Sequence, residues 1–142
     1  MIWKTRPTLD LLHQFSANTL STHLGITYTE IGEDYLKATM PVDARTVQPM
    51  RLLHGGASVA LAETLGSVAG FCCLENPDQQ SIVGIEINAN HLNSVPENSE
   101  VVGTVRPIKV GRRIQVWEIH IHRPDGKLVC VSRLTIAVVE RR

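Results

Sequence analysis

The strongest pattern in the chain is an apolar block after Gly55-Gly56. Ala57, Val59, Ala60, Leu61, Ala62, Leu65, Val68, Ala69 and Phe71 together fit one long helix. Apolar side chains occupy nearly its whole circumference, so it is expected to be buried on most sides. Gly66 and Gly70 each lower helix propensity by roughly 1 kcal/mol against Ala, so close packing must hold the helix. Small residues at Ala62, Gly66, Ala69 and Gly70 let a sheet or another helix approach closely. Upstream, Thr8 reads as an N-cap before Leu9, Leu11 and Leu12, and a second turn from Thr19 to Leu24 stops at Gly25. Residues 25–31 and 34–41 read as a hairpin about Gly32-Glu33-Asp34, with Pro41 ending it. Residues 42–54 hold Pro49 and no steady period, which predicts a loop.

Downstream of Glu75-Asn76-Pro77-Asp78, four strands are expected at about 81–92, 99–108, 112–122 and 127–139. Pro96, Gly111 and Pro124-Asp125-Gly126 punctuate them. In the first, alternation puts Val83, Ile85, Ile87, Ala89 and His91 on one face. In the third, Trp117, Ile119 and Ile121 oppose Glu118, His120 and His122. No repeat, low-complexity run or linker interrupts residues 1–142, so a single α+β domain is expected. Its five or six antiparallel strands would wrap one apolar helix, the hotdog arrangement.

Composition narrows the function. With 142 residues, 43% of them hydrophobic, the chain can bury a core. Fourteen basic and fourteen acidic side chains cancel, leaving no global field for nucleic acid or an anionic membrane. The start, Met1-Ile2-Trp3-Lys4, lacks the apolar segment of a signal peptide. Glu63, His54 and several glycines and serines argue against a membrane span between Leu52 and Glu75. Cys72, Cys73 and Cys130 form no paired spacing, so they read as reduced thiols of a cytoplasmic protein, packed as small hydrophobes.

The chemistry concentrates around the long helix. Between Arg51 and Glu75, Glu63 is the one charged residue besides His54. A carboxylate there must be paired, neutralised or used. Ser67, one turn on, would satisfy it locally; a general-base role is the alternative, and burial would raise its pKa in favour of that role. His54-Gly55-Gly56 stands at the helix start, where N–H groups lack partners and the dipole is positive, a plausible oxyanion hole. Gly55 and Glu63 lie ~12 Å apart along the axis, too far to act on one carbonyl. Two antiparallel helices at a twofold interface would bring them together, which predicts a composite site in a dimer. His91 sits on an inward strand face, and Gln48 in the preceding loop is a possible donor. His120-x-His122 has no further ligand at metal-like spacing, so no metal is expected. Arg106, Lys109, Arg112 and Arg113 flank a turn that is either simply solvated or holds phosphates.

Gln48-Pro49, Leu53-His54-Gly55-Gly56-Ala57-Ser58, Ala62-Glu63-Thr64-Leu65-Gly66-Ser67 and Asn88-Ala89-Asn90-His91 resemble the bacterial hotdog acyl-CoA thioesterases. The resemblance runs from Met1 to about Val139. It is nearest to members acting on 1,4-dihydroxy-2-naphthoyl-CoA in menaquinone synthesis, and to proofreading members of enterobactin synthesis. It implies hydrolysis of acyl-CoA to free acid and CoA, without a cofactor. Aromatic acyl groups such as 1,4-dihydroxy-2-naphthoyl or hydroxybenzoyl are expected, and acyl-carrier-protein thioesters are a competing substrate class.

Residue by residue, the resemblance makes Glu63 the catalytic carboxylate, as nucleophile or base, and Gly55 the N–H that polarises the carbonyl. Gln48, His54 and His91 would line the acyl and carbonyl site, with Ser67 as a helper. Gly84, the stretch His91, Leu92, Asn93 and Ser94, and the turn Ile108, Lys109, Val110, Gly111, Arg112 and Arg113 would hold CoA. A homodimer or a dimer-of-dimers tetramer is implied. The chain departs from the family at Met50-Arg51, where relatives usually carry Phe-Gly, and at Asn93, where they tend to carry Arg. Arg51, if it faced the pocket, could attract an acidic acyl tail. Two other readings share the fold: a hydratase or dehydratase acting on a β-carbon, and a non-catalytic acyl-CoA-binding protein.

Overall fold

The computed structural model describes residues 1–142. Thr8 accepts the Leu11 N–H and opens α1 (Leu9–Ser16), as the sequence predicts, and the turn expected from Thr19 is α2 (Leu20–His23), opened by a Thr19 capping box. The hairpin follows as β1 (Thr27–Ile31) and β2 (Leu36–Val42), then α3 (Gly55–Cys72). The last four strands are β3 (Gln80–His91), β4 (Ser99–Val110), β5 (Ile114–His122) and β6 (Leu128–Glu140). They form one antiparallel sheet in the order β1-β2-β4-β5-β6-β3. The sheet wraps α3, giving the expected hotdog arrangement with six strands.

Two local expectations are corrected. Pro41 does not end β2: it pairs with Glu100, and the strand runs on to Val42. Its carbonyl accepts from the Thr46 hydroxyl (2.8 Å), not from β4. The absent N–H therefore falls on the side that β1 has already left, where a strand tolerates proline. In β3 the predicted face breaks at a bulge between Gly84 and Glu86. Val83 and Ile85 are left exposed, while Ile82 before the bulge and Ile87 and Ala89 after it pack on the core. The extra residue is what lets both Gly84 and His91 face α3.

The core lies between α3 and the sheet. Leu61, Ala62, Leu65 and Ala69 pack with Val101, Val105, Trp117, Ile119, Ile121, Leu134 and Ile136. Cys72, Cys73 and Cys130 are buried and unbridged. Burial pushes the Cys72 thiol up to about 11 and the Cys73 thiol to about 12, so both stay protonated and inert. The opposite side of α3 is less covered than its sequence suggests. Ala57, Ala60, Thr64, Ser67 and Val68 are only half-buried. Phe15 of α1 meets Phe71 edge-on at 5.7 Å yet remains 51% exposed. An apolar helix thus keeps one face that its own chain does not cover. No helix is long and apolar enough to cross a membrane.

Gly70 is where α3 comes closest to a buried polar chain. Gln115 donates to the Gly70 carbonyl (3.2 Å) and accepts from the Trp117 indole (2.9 Å). A Cβ at Gly70 would lie 2.6 Å from Gln115 Oε1 and 3.0 Å from Ile136 Cδ1. Gly70→Ala gains about 1 kcal/mol of helix propensity but overpacks a rigid site, which costs about 1–3 kcal/mol, and disturbs buried hydrogen bonds worth about 1 kcal/mol each. The variant is expected to melt lower than the wild type at matched protein concentration; a raised midpoint would contradict this packing.

Candidate active site

The loop before α3 is pinned so that the helix starts where it does. Buried Thr46 accepts the Asp43 N–H (3.0 Å), and its carbonyl takes the His54 N–H (2.8 Å). The Leu53 N–H reaches the Val95 carbonyl (2.8 Å). His54 is extended (φ −70°, ψ 131°) and acts as the N-cap through its side chain: Nδ1 accepts the Gly56 N–H at 2.8 Å. In the neutral ring the proton therefore sits on Nε2, which becomes a donor. Ala57 and Ser58 both donate to the His54 carbonyl (3.0 and 3.2 Å). Only the Gly55 N–H in this first turn has no partner. A free N–H at the positive end of an 18-residue helix can receive a carbonyl oxygen that is gaining charge.

His91 stands over that donor. A Cβ at Gly55 would lie 3.0 Å from His91 Nε2, so the absent side chain is what leaves room. Gln48, Gly55, Ser58, His91, Asn93 and Ser94, with an apolar wall of Leu52, Leu53, Leu92 and Val129, line a cleft of about 380 Å³. The Gln48 carboxamide oxygen accepts the Met50 N–H, which leaves its amino group as the free end. Asn93 donates to the Leu128 carbonyl (2.7 Å), so its side chain ties the cleft to the start of β6. Arg51 is not among the cleft's lining residues. It forms a forked pair with Glu97, with Nε 2.8 Å from Oε2, and hydrogen bonding from Arg51 holds the Glu97 carboxyl below the usual carboxylate range. Arg51 is left-handed (φ 63°), a conformation that favours glycine.

Glu63 lies elsewhere. Two turns along α3 it is half-buried, with no ion pair and no side-chain hydrogen bond. Ser67 is also half-buried and does not bond to it, so the local satisfaction that sequence allowed is not formed. Gly84 makes its place: a Cβ there would sit 2.7 Å from Glu63 Oε1. The turn Ile108–Arg113 lies at a third location, beside the C-terminal end of α3. Val110, Gly111 and Arg112 meet Cys73, Leu74 and Gln80 around a cleft of about 320 Å³. Arg113 joins Arg112, Gln80 and Glu140 next to it. Arg106 is separate, paired with Asp34 and stacked 4.6 Å over Tyr35. His120 and His122 lie on the outer sheet face with ring centroids 6.2 Å apart. No group of three His, Cys, Asp or Glu side chains converges to hold a metal.

One chain therefore gathers Gln48, Gly55 and His91 in the cleft at the helix start, with His54 capping the helix from the neighbouring groove, Glu63 with Gly84 midway, and the basic turn at the far end. The thioesterase superfamily model matches residues 50–130, which span the free helix start, Glu63 and the basic turn. This chain belongs to the thioesterase superfamily. It is 52% identical over 139 residues to the proofreading thioesterase EntH of Cronobacter turicensis, covering 98% of this chain and 99% of that one. It is 50% identical over 139 residues to the 1,4-dihydroxy-2-naphthoyl-CoA hydrolase of Escherichia coli K12, covering 98% and 100%. A thioesterase structure from Haemophilus influenzae superposes with a TM-score of 0.93 at 51% identity, covering 99% of this chain and 96% of that one. The protein is a thioester hydrolase.

Sequence reasoning missed three features of this thioesterase. The Arg51–Glu97 pair joins positions 46 residues apart, which only a fold can bring together. The selection of Gly55 over Gly56 depends on a histidine cap, a role more often taken by Ser, Thr, Asp or Asn. A groove of about 270 Å³ formed by Leu20, Leu24, Val47, Ala57 and Ala60 draws on three segments and has no period to reveal it. The cap is testable. His54→Ala should lower stability by about 1 kcal/mol while His54→Asn, itself a good cap, largely keeps it. Urea midpoints check this, and equal losses in both variants would show that the Nδ1 bond is not what secures the helix start.

Proposed function

We propose that this thioesterase hydrolyses acyl-CoA at a site shared across a twofold homodimer. The observation that carries the reading is Glu63: a half-buried carboxylate with no bonded partner, ~12 Å along a rigid helix from the free Gly55 N–H. The uncovered face of α3 and the exposed Val83 and Ile85 on the β3 edge give two such chains a surface to join by. With the helices antiparallel, Gly55 meets Glu63 of the partner subunit. The same symmetry carries the partner's Lys109, Arg112 and Arg113 toward that helix start, where CoA phosphates need cations. A dimer-of-dimers tetramer in the cytoplasm, built from a single-domain chain, completes the expected assembly.

In this site the Gly55 N–H receives the thioester carbonyl oxygen as charge develops on it. Glu63 then either attacks the carbonyl carbon or takes the proton of the water that does. Carbon–sulfur cleavage releases CoA thiolate: the water route leaves the free acid directly, and the attack route leaves a Glu63 acyl anhydride that water then hydrolyses to the free acid. Ser67 assists one turn beyond. Gln48, His54 and His91 supply polar contacts to the carbonyl and to a hydroxylated ring, while Gly84, Leu92, Asn93, Ser94 and the turn Ile108–Arg113 hold CoA. These groups favour an aromatic acyl chain. 1,4-Dihydroxy-2-naphthoyl-CoA, the substrate named for the E. coli relative, is the first candidate, which would place the enzyme in menaquinone synthesis, and hydroxybenzoyl-CoA is the next. Met50, 78% exposed at the loop tip, adapts to more shapes than a rigid aryl ring, so preferences should be graded.

Glu63→Gln keeps the shape and removes the basic oxygen. Thiol release from benzoyl-, hydroxybenzoyl-, dihydroxynaphthoyl- and medium-chain acyl-CoAs should fall at least ~100-fold in kcat, with the fold intact by circular dichroism. Near-wild-type turnover would remove Glu63 from the chemistry. Hydration of 2-enoyl-CoA without thiol release would replace hydrolysis by the hydratase reading.

A further inference from the structure

We propose that the Arg51–Glu97 ion pair is a positioning clamp for Gln48, so that turnover depends on a salt link outside the cleft. The inference rests on the reading of Gln48 as a donor to a substrate oxygen.

Residues 48–52 form a tight turn. The Arg51 N–H reaches the Gln48 carbonyl (2.9 Å) and the Gln48 N–H reaches the Leu52 carbonyl (2.8 Å). Inside the turn the Met50 N–H holds the Gln48 carboxamide oxygen, which fixes the amino group as the end free to donate. The turn closes only with Arg51 in the left-handed region, where a non-glycine side chain is strained. The strained residue is also the one whose side chain leaves the turn to grip another segment. Its fork on Glu97 is the only side-chain hydrogen bonding from residues 48–52 to the rest of the chain. The Glu97 N–H returns a bond to the Arg51 carbonyl (3.1 Å).

The segment that Arg51 grips is itself fixed. Val95 is fully buried, Pro96 bridges to Leu52, and the Asn98 N–H bonds to the Val42 carbonyl at the end of β2 (2.8 Å). The clamp passes that rigidity to a turn whose tip, Met50, is 78% exposed. Exposed ion pairs contribute little to global stability, whereas a misplaced donor lowers turnover steeply. Loss of the clamp should therefore appear in kcat and not in the melting temperature.

The experiment compares full-length Arg51→Ala, Glu97→Gln, Gln48→Ala and the double variant Gln48→Ala/Arg51→Ala with wild type. The readouts are kcat and KM for benzoyl-CoA by thiol release, and the thermal midpoint at one protein concentration. Arg51→Ala and Glu97→Gln should each lower kcat ~10-fold, with KM changed less than ~3-fold and the midpoint within about 3 °C. Added to Gln48→Ala, Arg51→Ala should lower kcat by less than ~2-fold further, because the clamp acts through the residue already removed. Glu97→Gln leaves the turn's own sequence intact and decides the matter where Arg51→Ala fails to fold. Unchanged kcat in the clamp variants, or losses that multiply fully in the double variant, would overturn the proposal. Unchanged turnover in Gln48→Ala would instead remove the donor reading beneath it.

Discussion

The rise of an α-helix, ~1.5 Å per residue, is the constraint on which this molecule turns. α3 holds its free donor at Gly55 and its unpaired carboxylate at Glu63, and no side-chain motion closes eight residues of rigid rod. In the dimer proposed above, a second copy of the helix running the other way would close it without any bending. The constraint also accounts for the composition of α3. In the proposed dimer α3 meets the sheet on one side and another protomer on the other, which accounts for a helix that is apolar nearly all round.

Keeping such a helix straight and in register falls to a few contacts. Gln115 and Trp117 anchor its C-terminal half through the Gly70 carbonyl, deep in the core. His54 fixes its start, occupying the Gly56 N–H so that the Gly55 N–H alone remains open. The β3 bulge does for the sheet what Gly55 does for the helix. By inserting one residue between Gly84 and Glu86, it turns both the glycine beside Glu63 and the imidazole beside Gly55 toward α3. Two points far apart on one strand thus serve both ends of the proposed site.

Much of this was legible in the sequence because its signals are local. The Thr8 cap, an apolar block of helical length and alternation in the late strands depend on neighbours along the chain. The single carboxylate in the block and the His-Gly-Gly at its start stood out for the same reason. What was not legible depends on contacts at long separation. Alternation in β3 read smoothly through Ile85 because a bulge is set by the partner strand, not by the strand itself. Pro41 looked like a terminator because the loss of β1 beside it cannot be seen along the chain. Glu63 looked deeply buried because sequence hydrophobicity does not say which face of α3 its own chain leaves bare. Arg51 looked free to meet substrate until the fold brought Glu97 to it.

The proposed shared site is tested most directly by subunit mixing. One protomer carries Glu63→Gln and the other Gly55→Val, which blocks the helix start; each alone is inactive. Random assortment gives mixed dimers with one intact site, so an equal mixture should recover about a quarter of wild-type activity per chain. No recovery, with mixed dimers shown to form by native mass spectrometry, would contradict a site built from two chains.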